Sequence, residues 1–154
     1  MKRPKPSNSA FDSAVRSLTR RNHSRWELKT KLMQKGFPNE EIKTALNRLT
    51  ELGYLNDQNF AYDYCHHRLK QSPRGRKLLS IELKKRGLPR DLIEQVLDNI
   101  YKEIPEDNLV AGLVEKWHRS KPDEITESEV VKLSQSLARK GFNWDCIRSH
   151  LPNM

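Results

Sequence analysis

The chain has 154 residues, a formal net charge of +9 and a pI near 9.7; its 35% hydrophobic and 32% charged content suits a well-solvated helical protein rather than one with a thick buried sheet. No apolar run approaches the roughly 18 residues of a membrane span, and the charged start over residues 1–9 has no apolar stretch behind it, so it does not read as a secretory signal. Cys65 and Cys146 form no Cys-x-x-Cys pair and no disulfide framework, which places the chain in a reducing cytosol, and the excess of base points to a polyanionic partner, nucleic acid first.

After a flexible basic arm over residues 1–10, Phe11, Ala14, Val15 and Leu18 are spaced for one face of a helix that ends near Arg21 and Asn22. Ser24 and Glu27 then read as a capping box, in which hydroxyl and carboxylate each satisfy a free backbone N–H of the first turn. The second helix turns Leu28 and Leu32 inward and stops at Gly36. Phe37 packs at the corner, Pro38 stands at a helix start, and a third helix carries Ile42, Ala45, Leu46, Leu49 and Leu52 to Gly53. Asn56 caps a fourth helix with Phe60, Ala61, Tyr64 and Cys65 inward. A break at Ser72-Pro73-Arg74-Gly75 precedes a fifth through Leu78, Leu79 and Leu83 to Gly87, and Pro89 opens a sixth through Leu92, Ile93, Val96, Leu97 and Ile100. The last third has Leu109, Val110, Leu113 and Trp117 on one helix, a loop over residues 120–124, and a Thr126/Glu129 capping box opening the next. A short helix over residues 143–151 ends the chain, and nothing reads as a strand.

One pattern organises these elements. Leucine, three residues, glycine, an apolar residue and then isoleucine six residues after the glycine occurs at Leu32/Gly36/Phe37/Ile42, Leu83/Gly87/Leu88/Ile93 and Leu137/Gly141/Phe142/Ile147, with the glycines 51 and 54 residues apart. The fold class is therefore all-α, with three tandem three-helix repeats over residues 11–57, 58–107 and 108–154 in an elongated array. Each unit is too small to hold a large core, so neighbours must bury surface on one another.

Charge follows the repeats. Arg16, Arg20, Arg21, Arg25, Lys29, Lys31 and Lys35 face only Glu27, a net +6, and Arg68, Lys70, Arg74, Arg76, Lys77, Lys84, Lys85 and Arg86 face only Glu82, a net +7. In the last third acids nearly cancel bases. A charge run is often just the solvated face of a helix, but runs at equivalent places in consecutive repeats align into one stripe that can engage phosphates. Tyr54, Phe60, Tyr62, Tyr64 and Trp117 could stack on bases, although at helical spacing most belong to the core.

Other chemistry finds no support. Neither a P-loop nor a glycine-rich dinucleotide loop occurs. Gly75, between Arg74 and Arg76, suits a helix-start turn, with a phosphate cradle as the rival reading. Cys65, His66 and His67 are adjacent on a helix and point about 100° apart, so they cannot converge on one ion. Cys146 and His150 have the i, i+4 spacing that puts two ligands on one face, yet no further ligands of suitable type are evident nearby, and a core cysteine beside a surface histidine is expected. No metal, cofactor or catalytic set is read from the chain.

Three stretches carry a resemblance: His23-Ser24-Arg25-Trp26-Glu27-Leu28 through Leu32 to Lys35-Gly36-Phe37; Gly53-Tyr54-Leu55-Asn56-Asp57-Gln58-Asn59-Phe60-Ala61; and Arg74-Gly75 with Ile81-Glu82-Leu83-Lys84-Lys85-Arg86-Gly87-Leu88. They resemble the bacterial RecX family, regulators of the RecA recombinase, and the second is the most specific. The resemblance implies a curved, all-helical, non-enzymatic cytoplasmic monomer, without cofactor or membrane contact, that lodges in the groove of a RecA filament on single-stranded DNA. There it would inhibit ATP hydrolysis, strand exchange and co-protease activity. The residues expected to meet filament and DNA are Arg25, Lys29, Lys70, Arg74, Arg76, Lys77, Lys84, Lys85 and Arg86, with Arg139 and Lys140 as third-unit equivalents. Two other readings of the residues are a stand-alone nucleic-acid-binding protein with helix-turn-helix-like units and an adaptor scaffold with no nucleic-acid role.

Overall fold

The computed structural model describes residues 8–121 and 124–152; residues 1–7 of the basic arm, Pro122 and Asp123 of the expected loop, and residues 153–154 lie outside them. Nine helices follow one another, with no strand among the described residues: α1 (Ala10–Arg20), α2 (Arg25–Gln34), α3 (Asn39–Glu51), α4 (Asp57–Gln71), α5 (Arg76–Lys85), α6 (Arg90–Glu103), α7 (Glu106–Arg119), α8 (Glu127–Arg139) and α9 (Trp144–His150). This is the all-α class read from the sequence. Among the described residues no helix is long and apolar enough to cross a membrane.

Local chemistry sets the helix starts. Ser24 with Glu27 and Thr126 with Glu129 form reciprocal capping boxes, and Asn56 accepts from the Asn59 N–H. Pro38, Pro89 and Pro105 precede α3, α6 and α7, where the missing N–H costs nothing.

Three cores lie in chain order. Leu28, Leu32, Ile42, Leu46, Leu49 and Leu55 close the first, Phe60, Leu79, Leu83, Ile93, Val96, Leu97 and Ile100 the second, and Val110, Leu137, Phe142 and Ile147 the third. The repeated leucines Leu32, Leu83 and Leu137 are fully buried, each contributing roughly 1.5–3 kcal/mol. Leu52 departs from the expected pattern and is 52% exposed. The reason is that α3 stops at Glu51 and the chain reverses at Gly53. Tyr54 and Leu55 then both donate their backbone N–H to the Leu49 carbonyl, and Leu55 joins the core instead.

The extensive helix pairings divide the helices into three units, α1, α2 and α3 together, α4 and α5 each on α6, α7 and α8 each on α9, so that the second unit opens at Asp57 and the third at Glu106, one and two residues ahead of the bounds read from the sequence. Between units, the middle helices α2, α5 and α8 meet end to end. At the first junction Ser24 Oγ donates to the Arg86 carbonyl at 2.7 Å, while Arg86 and Arg21 both reach Glu27 Oε2 at 3.0 Å. A Cβ on Gly87 would stand 2.2 Å from the Trp26 ring, so the indole lies directly on the helix end. At the second junction the N–H groups of Gly75 and Lys77 donate to the carbonyls of Lys140 and Gly141 at 2.8 and 3.2 Å. A third contact is made identically twice: the first amide of α2, from Arg25, donates to Asp57 Oδ1 at 2.8 Å, and the first amide of α5, from Arg76, to Glu106 Oε1 at 2.9 Å. Asp57 and Glu106 are the first residues of α4 and α7. The opening acids of the second and third units therefore each cap the middle helix of the unit before, with the charge favoured by the helix dipole.

The first junction carries a pH dependence. Burial opposes ionisation of Glu27, but hydrogen bonds from Arg21, the Ser24 N–H and Arg86 outweigh it and hold the carboxyl below its usual value. Its contribution is present above the ordinary carboxylate pKa and lost as pH falls through the lowered one. His23, buried and donating Nδ1–H to the Arg21 carbonyl, is held below 6.5 by burial, with the charges of Arg21 and Lys31 acting in the same direction and the hydrogen bond to the Arg21 carbonyl and the charge of Glu27 against. A histidine folded neutral stabilises fully above its unfolded pKa, and that stability is lost as pH falls. The thermal midpoint is expected to drop between about pH 7.5 and 5.5, and the drop should shrink in His23→Gln. An equal drop in the variant would remove His23 from the explanation.

Candidate nucleic-acid interface

On α5 the buried residues Leu79 and Leu83 define one side. Lys77, Ile81, Lys84 and Lys85 are exposed and spaced four, seven and eight residues from the first, which sets them in one stripe on the opposite side. Counting from the repeated glycines, the same positions are Trp26, Thr30, Met33 and Gln34 on α2, and Val131, Gln135, Ala138 and Arg139 on α8. With the middle helices meeting end to end, these stripes follow one another along the array as its α2–α5–α8 face. Its exposed apolar side chains are Trp26 (49%), Met33 (50%), Ile81 (52%) and Val131 (47%). Beside it, between α2 and α3, lies a groove of about 450 Å3 lined by Arg25, Lys29, Met33, Asn39, Glu40 and Lys43.

The structure separates the sequence-predicted cations into two groups. Lys77, Lys84 and Lys85 come together on α5, Lys70 is exposed on the last turn of α4, Lys29 is exposed on α2 and Arg139 on α8, while Lys140 is half-buried at the α8 end. None of these seven has an ion-pair partner among the described residues. The other four are engaged within the protein. Arg74, only 12% exposed, binds Glu82 Oε1 at 2.7 Å and the Ser72 hydroxyl and carbonyl, fastening the 72–75 loop to α5. Arg68 shares the same Glu82 oxygen at 2.6 Å. Arg86 pairs with Glu27 across the first junction and lies 5.2 Å over the Tyr64 ring. Arg76 pairs with Asp98 at 2.7 Å, and Arg25 bonds the neutral side chains of Asn47 and Thr50.

Gly75 is explained by its junction. It is buried, its N–H donates to the Lys140 carbonyl, and a Cβ there would come within 2.3 Å of the Gly141 backbone, so close backbone packing rather than a phosphate cradle occupies the site. Of the aromatic residues, Phe60 is buried and Tyr62, Tyr64 and Trp117 are half-buried against their cores. Tyr54 is exposed, beside Phe11, Val15 and Leu18. Sequence reasoning missed the apolar half of the middle-helix face. The signal was there, because Trp26, Met33, Ile81 and Val131 all lie off the leucine stripe of their helices.

Residues 10–49 match the family model for the first three-helix domain of RecX, and residues 56–97 match that for the second. The chain is 37% identical over 140 residues to regulatory protein RecX of Legionella pneumophila strain Corby, covering 90% of this chain and 89% of the relative. It is 36% identical over 141 residues to regulatory protein RecX of Chlorobaculum tepidum, covering 92% and 85%. The crystal structure of RecX from Lactobacillus salivarius superposes with a TM-score of 0.82 at 26% identity, over 92% of this chain and 91% of that one. Matched by two domain models and by relatives along nearly its whole length, the chain belongs to the RecX family.

Proposed function

We propose that this protein is a cytoplasmic, non-enzymatic regulator of the RecA recombinase, acting as a monomer that docks its α2–α5–α8 face on the RecA filament formed on single-stranded DNA. Docked there, it inhibits ATP hydrolysis, strand exchange and co-protease activity, and so regulates DNA repair and the SOS response. Its relatives carry the name regulatory protein RecX. The observation that carries the reading is the mixed chemistry of the face. Lys77, Lys84 and Lys85 suit phosphate, but exposed Trp26, Met33, Ile81 and Val131 gain little from a DNA backbone and suit a protein surface. A recombinase filament offers both along one repeating groove. A rigid array that spans neighbouring protomers favours one filament state and so obstructs turnover.

The test is single-stranded-DNA-dependent ATP hydrolysis by the cognate recombinase, with this protein titrated from far below to equal stoichiometry. Strong loss at substoichiometric amounts is expected, together with tighter binding to recombinase-coated than to bare DNA. No loss at equal stoichiometry, with equal affinity for bare and coated strands, would overturn the proposal in favour of a stand-alone nucleic-acid binder.

A further inference from the structure

We propose that Asp107, Cys146 and His150 form a surface site for a divalent transition-metal ion of the zinc class. Cys146 and His150 stand one turn apart on α9, and the second residue of α7 supplies what the sequence could not show. Asp107 Oδ1 lies 3.2 Å from Cys146 Sγ and 3.1 Å from His150 Nε2, and the three ligand atoms all fall within 4.8 Å of one another. Around a tetrahedral ion with metal–sulfur bonds of about 2.3 Å and metal–nitrogen or metal–oxygen bonds of about 2.0–2.1 Å, ligand atoms sit roughly 3.3–3.6 Å apart. The cluster is thus close to a coordinating arrangement without moving either helix.

The donor set chooses the ion. A thiolate sulfur, an imidazole nitrogen and one carboxylate oxygen suit zinc and its neighbours and disfavour magnesium and calcium, which take oxygen. Three protein ligands leave an open position, which a surface site fills with water. Asp107, with its side chain 70% exposed, has no side-chain hydrogen bond or ion pair among the described residues other than those to Cys146 and His150, so an ion displaces nothing else. Binding releases the Sγ–H proton, and the imidazole, ligating through Nε2, carries its one N–H on Nδ1. A nucleophilic role does not fit, because the carboxylate stands between thiol and imidazole and burial keeps the thiol protonated, its pKa pushed up to about 12.

The same positions elsewhere in the array are different. Counted from the repeated glycines and from the helix starts, the second unit has Gln58, Leu92 and Val96, and the first has Phe11, Glu41 and Ala45. The three donors therefore occur together in one unit only, at the corner where α7 meets the short α9, and an ion there would clamp those two helices.

The experiment is a cobalt(II) titration of the full chain, read by absorption. One equivalent per chain should bring up a thiolate-to-cobalt charge-transfer band with the visible bands of a low-coordinate ion, and zinc should bleach both. Cys146→Ser should abolish the charge-transfer band, and Asp107→Asn and His150→Ala should weaken binding by about tenfold or more. Cys65→Ala, removing the buried thiol of the second core, should leave the band intact. Absence of the band in the parent, or its survival in Cys146→Ser, would overturn the site; Cys146 is half-exposed, so that variant is expected to fold, with circular dichroism as the check.

Discussion

Gly75→Ser is expected to destabilise the junction between the second and third units by about 2–4 kcal/mol, even though serine is the better helix cap. The N-caps of the other two middle helices argue superficially for the change, since Ser24 and Thr126 cap α2 and α8. At Gly75 the backbone has an ordinary φ of −87°, so an isolated second unit would accept serine and gain a few tenths of a kcal/mol at its cap. In the array, however, the new Cβ would lie 2.3 Å from the carbonyl carbon and oxygen of Gly141 and 2.5 Å from the Phe142 nitrogen, all of them backbone. The units must separate, and the hydrogen bonds from Gly75 and Lys77 to Lys140 and Gly141 go with them. Hydrogen exchange should show faster exchange at the Gly75 and Lys77 amides and in the third unit, with the first unit unchanged. A variant as stable as its parent would mean that the junction is looser than the close approach implies.

The second large effect concerns the face itself. Lys77→Glu, Lys84→Glu and Lys85→Glu together should raise the half-inhibitory concentration in the recombinase ATPase assay on the order of a hundredfold and flatten the salt dependence of binding by about two units. All three side chains are exposed and have no ion-pair partner among the described residues, so the thermal midpoint should barely move. Met33→Gln with Ile81→Gln completes the comparison. These substitutions leave the charge alone, so affinity for bare single-stranded DNA should be unchanged while affinity for the coated filament falls about tenfold. If both affinities fall together, or neither does, the apolar half of the face has no protein partner.

The fold was largely legible in the chain because its signals are local. The Leu-x-x-x-Gly spacing, the two capping boxes and the prolines at helix starts each act within one or two turns, and each produced the element expected of it. Leu52 shows where periodicity stops informing: it has the core spacing of α3, but the helix ends one residue earlier. The interface was legible in its charge and not in its partition. Arg74 and Arg86 look like neighbouring free bases in a basic run, yet one is held by Glu82 eight residues away and the other by Glu27 on another unit. Asp107 lies 39 residues from Cys146, so nothing in local spacing could have joined them. What the sequence withheld is tertiary: which charges find partners, which backbones touch, and which side chains meet across helices.

The acids that cap the middle helices lie downstream of the amides they cap, and this gives the array a direction in time. During synthesis the first core is complete once Leu55 has left the ribosome, but Arg25 must wait for Asp57, and Ser24 and Glu27 for Arg86. The second unit waits in the same way for Glu106, Lys140 and Gly141. A nascent chain is therefore expected to advance as a series of finished but unlatched units, each locked only by its successor, with the short, local contacts of helical units keeping every step fast.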